Sequence, residues 1–197
     1  MIRAFCLWLL LALPAHATQD AWPALHDVIG VTPDDVLNVR AGPSSDTPII
    51  ATLAPDAVDI ELIAPNDAYT WALVNAGEQS GWVSLRFMQR QPGQWLGAIP
   101  KVRSCYGTEP FWGLTLTDAG TFTFDRAGEG AQTGHVLSVL ASENRRDRYA
   151  MSLSSSGAAA VLSYAACNDG MSDRQFGITV DLLINGSFVS GCCTLAP

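Results

Sequence analysis

The chain has 197 residues and a formal charge of −8, with a calculated isoelectric point near 4.6. That balance argues against nucleic acid or anionic lipid as the main partner, since neither attracts net negative charge. It leaves a basic partner protein, or an uncharged or cationic wall polymer.

At the N-terminus Arg3 precedes an apolar run from Ala4 to Leu13, followed by Pro14 and Ala15-His16-Ala17. A positive start, an apolar stretch of about ten residues and a small-x-small end describe a cleavable export signal at 1–17. The run is about half of what a bilayer core needs, so no membrane span is expected in the mature chain, which should be secreted or periplasmic. Cleavage would remove Cys6 and leave four cysteines, an even number that favours paired disulfides in an exported protein.

Thr18 to Asp27 reads as a leader. Brief apolar runs then alternate with turn residues: 28–31, 36–39, 49–53, 58–63, 71–74 and 81–84, broken by Pro33-Asp34-Asp35, Gly42-Pro43-Ser44 and Pro65-Asn66-Asp67. Five or six strands in so short a stretch predict a small barrel. Within it Asn38 and Arg40 alternate with Leu37 and Val39, so one face is buried and the other polar.

Leu37-Asn38-Val39-Arg40-Ala41-Gly42-Pro43-Ser44, Ile50-Ala51-Thr52-Leu53, Trp71-Ala72-Leu73-Val74, Gly81-Trp82-Val83-Ser84 and Phe87-Met88 resemble, in order and spacing, the bacterial SH3 domain, here residues 28–90. The resemblance implies an envelope-binding module that docks on peptidoglycan or peptide, with Tyr69, Trp71, Trp82 and Arg86 as candidates for its groove. In so small a barrel Trp71 and Trp82 are also expected as core residues. Residues 91–102, with Pro92, Gly93, Gly97 and Pro100, read as a linker, in which Trp95 and Leu96 either pin the modules together or cover an edge.

The second module, 103–197, opens with Cys105-Tyr106-Gly107-Thr108-Glu109-Pro110-Phe111-Trp112. Alternation at Leu114, Leu116, Phe122 and Phe124, with turns at Asp118-Ala119-Gly120 and Asn185-Gly186, gives seven or eight antiparallel strands in a barrel or sandwich. The expected fold class is therefore all-β: an SH3-like small barrel followed by a disulfide-linked antiparallel barrel or sandwich. Cys167-Asn168-Asp169-Gly170-Met171-Ser172-Asp173-Arg174 is a polar knot between two apolar runs. It is either a self-satisfied clasp, with Asp169 and Asp173 accepting backbone N–H groups and Arg174 paired to one of them, or a site. Trp112, Asp169, Ser172, Asp173 and Arg174 are its candidate ligand-binding residues, although Trp112 is also expected in a core or as a lid.

The two motifs Cys-x-Gly-x-Glu-Pro-Phe-Trp and Cys-x-Asp-Gly-Met-Ser-Asp-Arg, with Gly191-Cys192 after them, resemble a family of bacterial envelope lipoproteins that are distantly similar to META-type β domains. The resemblance implies a fold and no settled activity. This chain departs from it in lacking the lipid-attachment cysteine and in having Cys193 beside Cys192. Neighbours on a strand point to opposite faces, so Cys105 and Cys167 should each be bridged to a different one of Cys192 and Cys193; which goes to which stays open.

No catalytic arrangement stands out, and the chain is read as non-enzymatic. His26 and His135 lie in no recognisable catalytic sequence, Asp169 beside Cys167 would raise a thiol's pKa and so disfavour a nucleophile, and Glu109 with Asp169 or Asp173 is an unremarkable carboxylate pairing in an acidic chain. No zinc-type spacing occurs, so no metal or other cofactor is expected. The reading is a non-catalytic envelope-binding protein whose partner is a cell-wall polymer or an envelope protein. The alternative is a periplasmic inhibitor of a basic, lysozyme-type wall hydrolase.

Overall fold

The computed structural model describes residues 19–155 and 157–196; the expected export signal at 1–17 lies outside them. Among the described residues there are fifteen strands and no α-helix, so the all-β expectation holds, and no helix is long and apolar enough to cross a membrane.

Seven strands make the first sheet: β1 (Ala24–Val28), β2 (Leu37–Arg40), β3 (Ile49–Leu53), β4 (Ile60–Pro65), β5 (Trp71–Ala76), β6 (Gln79–Ser84) and β7 (Met88–Arg90). Their spatial order is β3-β2-β6-β5-β4-β1-β7, so β3 and β7 are edges that do not pair with each other. One core cluster nevertheless draws on strands across the whole order, from Val39 and Leu37 through Val83, Val74 and Leu62 to Val28 and Met88. The sheet must therefore curl around that core. Gly81 is needed inside it, because a Cβ there would lie 2.6 Å from Val39 Cγ1 and 2.7 Å from Ile50 Cδ1.

The N-terminal segment corrects the sequence reading. The part of the expected leader that is described, 19–27, is built into the sheet: the first strand is Ala24–Val28, not 28–31, and it inserts between β4 and β7 with Ala24 opposite Leu62 and Val28 opposite Met88. Ala24, Leu25 and Val28 are buried, and an isolated strand cannot bury both faces and satisfy its backbone at once. Residues 91–102 are likewise tied down at their start. The Gln94 side chain accepts from Leu25 N (2.7 Å) and donates to Leu25 O (2.8 Å), and Leu96 N donates to Gln19 O (2.9 Å).

The remaining strands, β8 (Ser104–Gly107), β9 (Trp112–Leu116), β10 (Thr121–Arg126), β11 (Gln132–Ala141), β12 (Arg148–Leu153), β13 (Ala159–Cys167), β14 (Phe176–Ile184) and β15 (Ser187–Thr194), close into an antiparallel barrel. Of the two architectures expected, the barrel is the one formed. Asn185 and Gly186, at φ 53° and 74°, supply the left-handed pair that a two-residue hairpin requires. Leu114, Phe122, Phe124, Tyr149, Met151, Leu162, Ile178 and Val180 fill the interior. An eight-stranded barrel is just wide enough for such a filling, which makes the lumen a packed core.

Both cysteines of β15 are oxidised, to different partners. Cys193 faces the interior and is bonded to Cys105, its direct neighbour on β8, while Cys192 faces outward and is bonded to Cys167 at the end of β13. The alternation of side chains along a strand is what separates the two.

On the loop-entropy model, the 88-residue separation of Cys105 and Cys193 is worth about 4–5 kcal/mol and the 25-residue separation of Cys167 and Cys192 about 3–4 kcal/mol. Paired alanine substitutions at 105 and 193 should therefore lower the denaturation midpoint more than those at 167 and 192, and the denatured, unreduced mature chain should show no reactive thiol.

His26 is buried on β1, with Nδ1 3.0 Å from Ala24 O and the ring stacked on Trp22. Burial, with a smaller contribution from the nearby Arg90, pushes its pKa down to about 4. Since the unfolded chain takes up a proton near pH 6.5 and the folded one does not until about pH 4, stability should fall as pH drops through that window, by up to about 3 kcal/mol. His26→Asn should remove that component of the pH dependence, measured by urea unfolding at pH 7 and pH 4.5.

Candidate functional site

The residues singled out in the first sheet do not all meet. Successive side chains of β5 and β6 alternate: Ala72, Val74 and Val83 go inward, so Trp71, Leu73, Trp82 and Ser84 lie on the outer face, with Trp82 opposite Leu73 and Arg40. Trp71 and Trp82 are half-buried there, which corrects their expected place in the core.

A cleft of about 420 Å³ opens beside them, between the 30–32 segment, β2 and the 84–87 turn. Trp71 and Arg86 line it; Tyr69 and Trp82 do not. Tyr69 is instead 66% exposed at the Asn66–Thr70 turn, with φ 53°.

Sequence reasoning missed Asp35 and Phe87 as cleft residues, and read Asn38 and Arg40 only as a polar face. The polar alternation along β2 was the available signal, but nothing local shows that the 30–32 segment and Ser45 fold over to make a wall. Arg40 Nη1 donates to Thr47 O at 2.7 Å, which fixes its direction. Arg86 lies 5.5 Å over the Phe87 ring and makes no ion pair among the described residues. Asp35 spends one carboxylate oxygen on Val36 N (2.8 Å). The cleft thus offers an aromatic face, an amide, one carboxylate and two guanidinium groups, in the size range of small-ligand sites.

The 168–174 loop takes the clasp form. Asp169 Oδ1 accepts from Met171 N (3.0 Å) and Ser172 N (2.9 Å), and Oδ2 accepts from Ser172 Oγ (2.8 Å). Asn168 Oδ1 accepts from Gly170 N at 2.7 Å, with Gly170 at φ 72°, and Asn168 Nδ2 donates to Arg174 O at 3.1 Å. Partial burial raises the Asp169 pKa, but the Ser172 and Met171 donors outweigh it and the net shift is downward. Thr108 Oγ1 donates to Asp169 O (2.9 Å), which joins the two motif loops.

Two expectations for this loop fail. Arg174 pairs with neither Asp169 nor Asp173; its guanidinium lies 5.1 Å over the Phe176 ring. The Asp173 carboxylate accepts no backbone N–H among the described residues: the side chain is exposed, and only its backbone is engaged, N donating to Glu78 O at 3.0 Å. Trp112, 4% exposed and tilted against Phe124, takes the core place expected for it and is no ligand-binding residue. The Asp173–Glu78 bond crosses to the first sheet.

That last bond reveals what the loop does. It docks on the β5–β6 hairpin of the first sheet, where Gln175 N donates to Ser80 Oγ (2.9 Å) and Asn75 Oδ1 (3.2 Å) while Asn75 Nδ2 donates to Gln175 O (2.9 Å). With Cys105, Cys167, Cys192 and Cys193 all in disulfides, none of them presents a thiolate. No group of three or more potential metal ligands occurs among the described residues.

Comparison with models of protein families, with curated proteins and with solved structures finds no match.

Asp169→Ala removes three hydrogen bonds to a carboxylate and should cost about 1–2 kcal/mol of stability. Asp173→Ala, which touches only an exposed side chain, should stay within about 0.5 kcal/mol of the wild type. Thermal unfolding of the two variants separates these outcomes.

Proposed function

We propose that this is a non-catalytic protein of the bacterial cell envelope, secreted or periplasmic, whose first sheet docks on peptidoglycan or a wall-derived peptide. The observation that carries the reading is the cleft itself: Trp71 and Phe87 give it an apolar floor, Asn38 an amide, and Arg40 and Arg86 the positive charge, on a chain that is otherwise acidic. Wall peptides present amides and carboxylates, and a guanidinium recognises a carboxylate in a planar, two-point fashion. The resemblance of 28–90 to bacterial SH3 domains points the same way, as do two disulfides, which persist outside the reducing cytoplasm. The barrel then acts as scaffold or as a second binding surface.

The acidic charge favours a second reading, inhibition of a basic wall hydrolase. Lysozyme assayed with stoichiometric protein distinguishes the two: the docking reading expects full lysozyme activity.

The mature chain should sediment with purified, insoluble peptidoglycan. Arg86→Ala and Trp71→Ala should each weaken that binding about tenfold or more without lowering thermal stability by more than a few degrees. Wild-type protein that stays wholly in the supernatant would refute the docking role.

A further inference from the structure

The filling of the barrel stops short at the end where residues 100–103 lead into β8, and a pit of about 230 Å³ opens there. Its floor is Leu116, Met151 and Leu162, all members of the barrel core, and one wall is Val136 and Val139 of β11, which pack against that core yet stay half-buried. These five side chains are apolar, so water in the pit finds few hydrogen-bonding partners on them.

A bulge builds the valine wall. On β11 Val136 lies opposite Leu153 and Ser138 opposite Ser152, so Leu137 is an extra residue. Positions 136 and 139 of a regular strand would face opposite sides of the sheet. The inserted residue lets both valines turn inward and leaves Leu137 65% exposed.

The rim of the pit is charged. Lys101 and Arg103 stand at the opening, with Asp118 the one carboxylate among the described residues that line it. Arg103 Nη2 holds that carboxylate at 2.7 Å, and Lys101 makes no ion pair among the described residues. Lys101 is also the only lysine of a chain with 19 acidic residues. A surplus positive charge thus sits over an apolar interior, on a protein whose net charge is −8. An anionic head on an apolar tail matches that arrangement. An amphiphilic cation would meet Lys101, and a wholly polar anion would leave the valine wall and Leu162 uncovered. Barrel mouths are a recurrent location for small-molecule sites, and a lysine's flexible stem lets its point charge follow the head group. The volume sets the length of the tail: since a cavity of about 150 Å³ admits benzene, the pit holds roughly nine non-hydrogen atoms in proportion.

We propose that the barrel mouth binds a straight-chain fatty carboxylate of about eight carbons, its tail against Val136, Val139, Met151 and Leu162 and its carboxylate at Lys101.

Calorimetric titration of the mature chain with octanoate should show saturable binding of one molecule per chain. Butanoate, four methylenes shorter, should bind about a hundredfold more weakly, and octylammonium, with the opposite head charge, about tenfold more weakly. Lys101→Glu should weaken octanoate binding about tenfold, while Lys101→Arg should keep it within about twofold of the wild type. In the wild-type protein, where no variant's folding is at issue, octanoate should shift the methyl resonances of Val136, Val139, Met151 and Leu162. Absence of saturable octanoate binding, equal affinity for butanoate or octylammonium, an unchanged affinity in Lys101→Glu, or methyl shifts confined to other regions would overturn the proposal. Peptidoglycan sedimentation tests the cleft of the first sheet alone, so either reading can fail without the other.

Discussion

β15 is the strand on which the architecture turns. It hydrogen-bonds to β14 on one side and β8 on the other, and so closes the barrel. Its consecutive cysteines use the two faces of the pleat, Cys193 locking the interior to Cys105 and Cys192 locking the outer layer to Cys167. Just past Cys193, Thr194, Leu195 and Ala196 deliver one hydroxyl and two amides to Glu61 of the first sheet. Closure, cross-linking and the junction with the sheet thus depend on eleven consecutive residues, 186–196.

The Cys167–Cys192 bond has a further consequence. It anchors the start of the 168–174 loop, while the Asn75, Ser80 and Glu78 contacts anchor its far end on the β5–β6 hairpin. A loop held at both ends needs internal order to avoid unsatisfied backbone groups, and Asp169, with its three donors, supplies it. The polar knot is therefore a structural joint whose outlet, Arg174, is the only part of it left with unsatisfied hydrogen-bonding capacity among its buried atoms.

Much of this was legible in the residues. Turn signals such as Asn185-Gly186 and the two-residue alternation at Leu114, Leu116, Phe122 and Phe124 act locally, so they report strand and hairpin positions without reference to the rest of the chain. Side-chain alternation likewise required Cys192 and Cys193 to seek separate partners. Ala24–Val28 was misread because its pairing with β4 and β7 is a long-range event, and the segment by itself carries only a short apolar run after Trp22-Pro23. Trp71 and Trp82 were misplaced for a related reason: alternation separates two faces, but which face is the core depends on where Val39, Leu62 and Val74 converge.

Arg174 shows the limit most clearly. Local reasoning paired it with the nearest carboxylates, Asp169 and Asp173, because opposite charges a few residues apart on a loop can meet. The backbone N–H groups of Met171 and Ser172 hold Asp169, and the guanidinium lies over Phe176 instead. Sequence alone determined the all-β class, the hairpin positions and the need for two separate bridges to the final strand, since each follows from the chemistry of residues close together in the chain. The closure of the barrel, the choice of Cys105 for Cys193 and the cleft lined by Trp71 and Arg86 were decided only by tertiary structure, because each depends on packing between segments tens of residues apart.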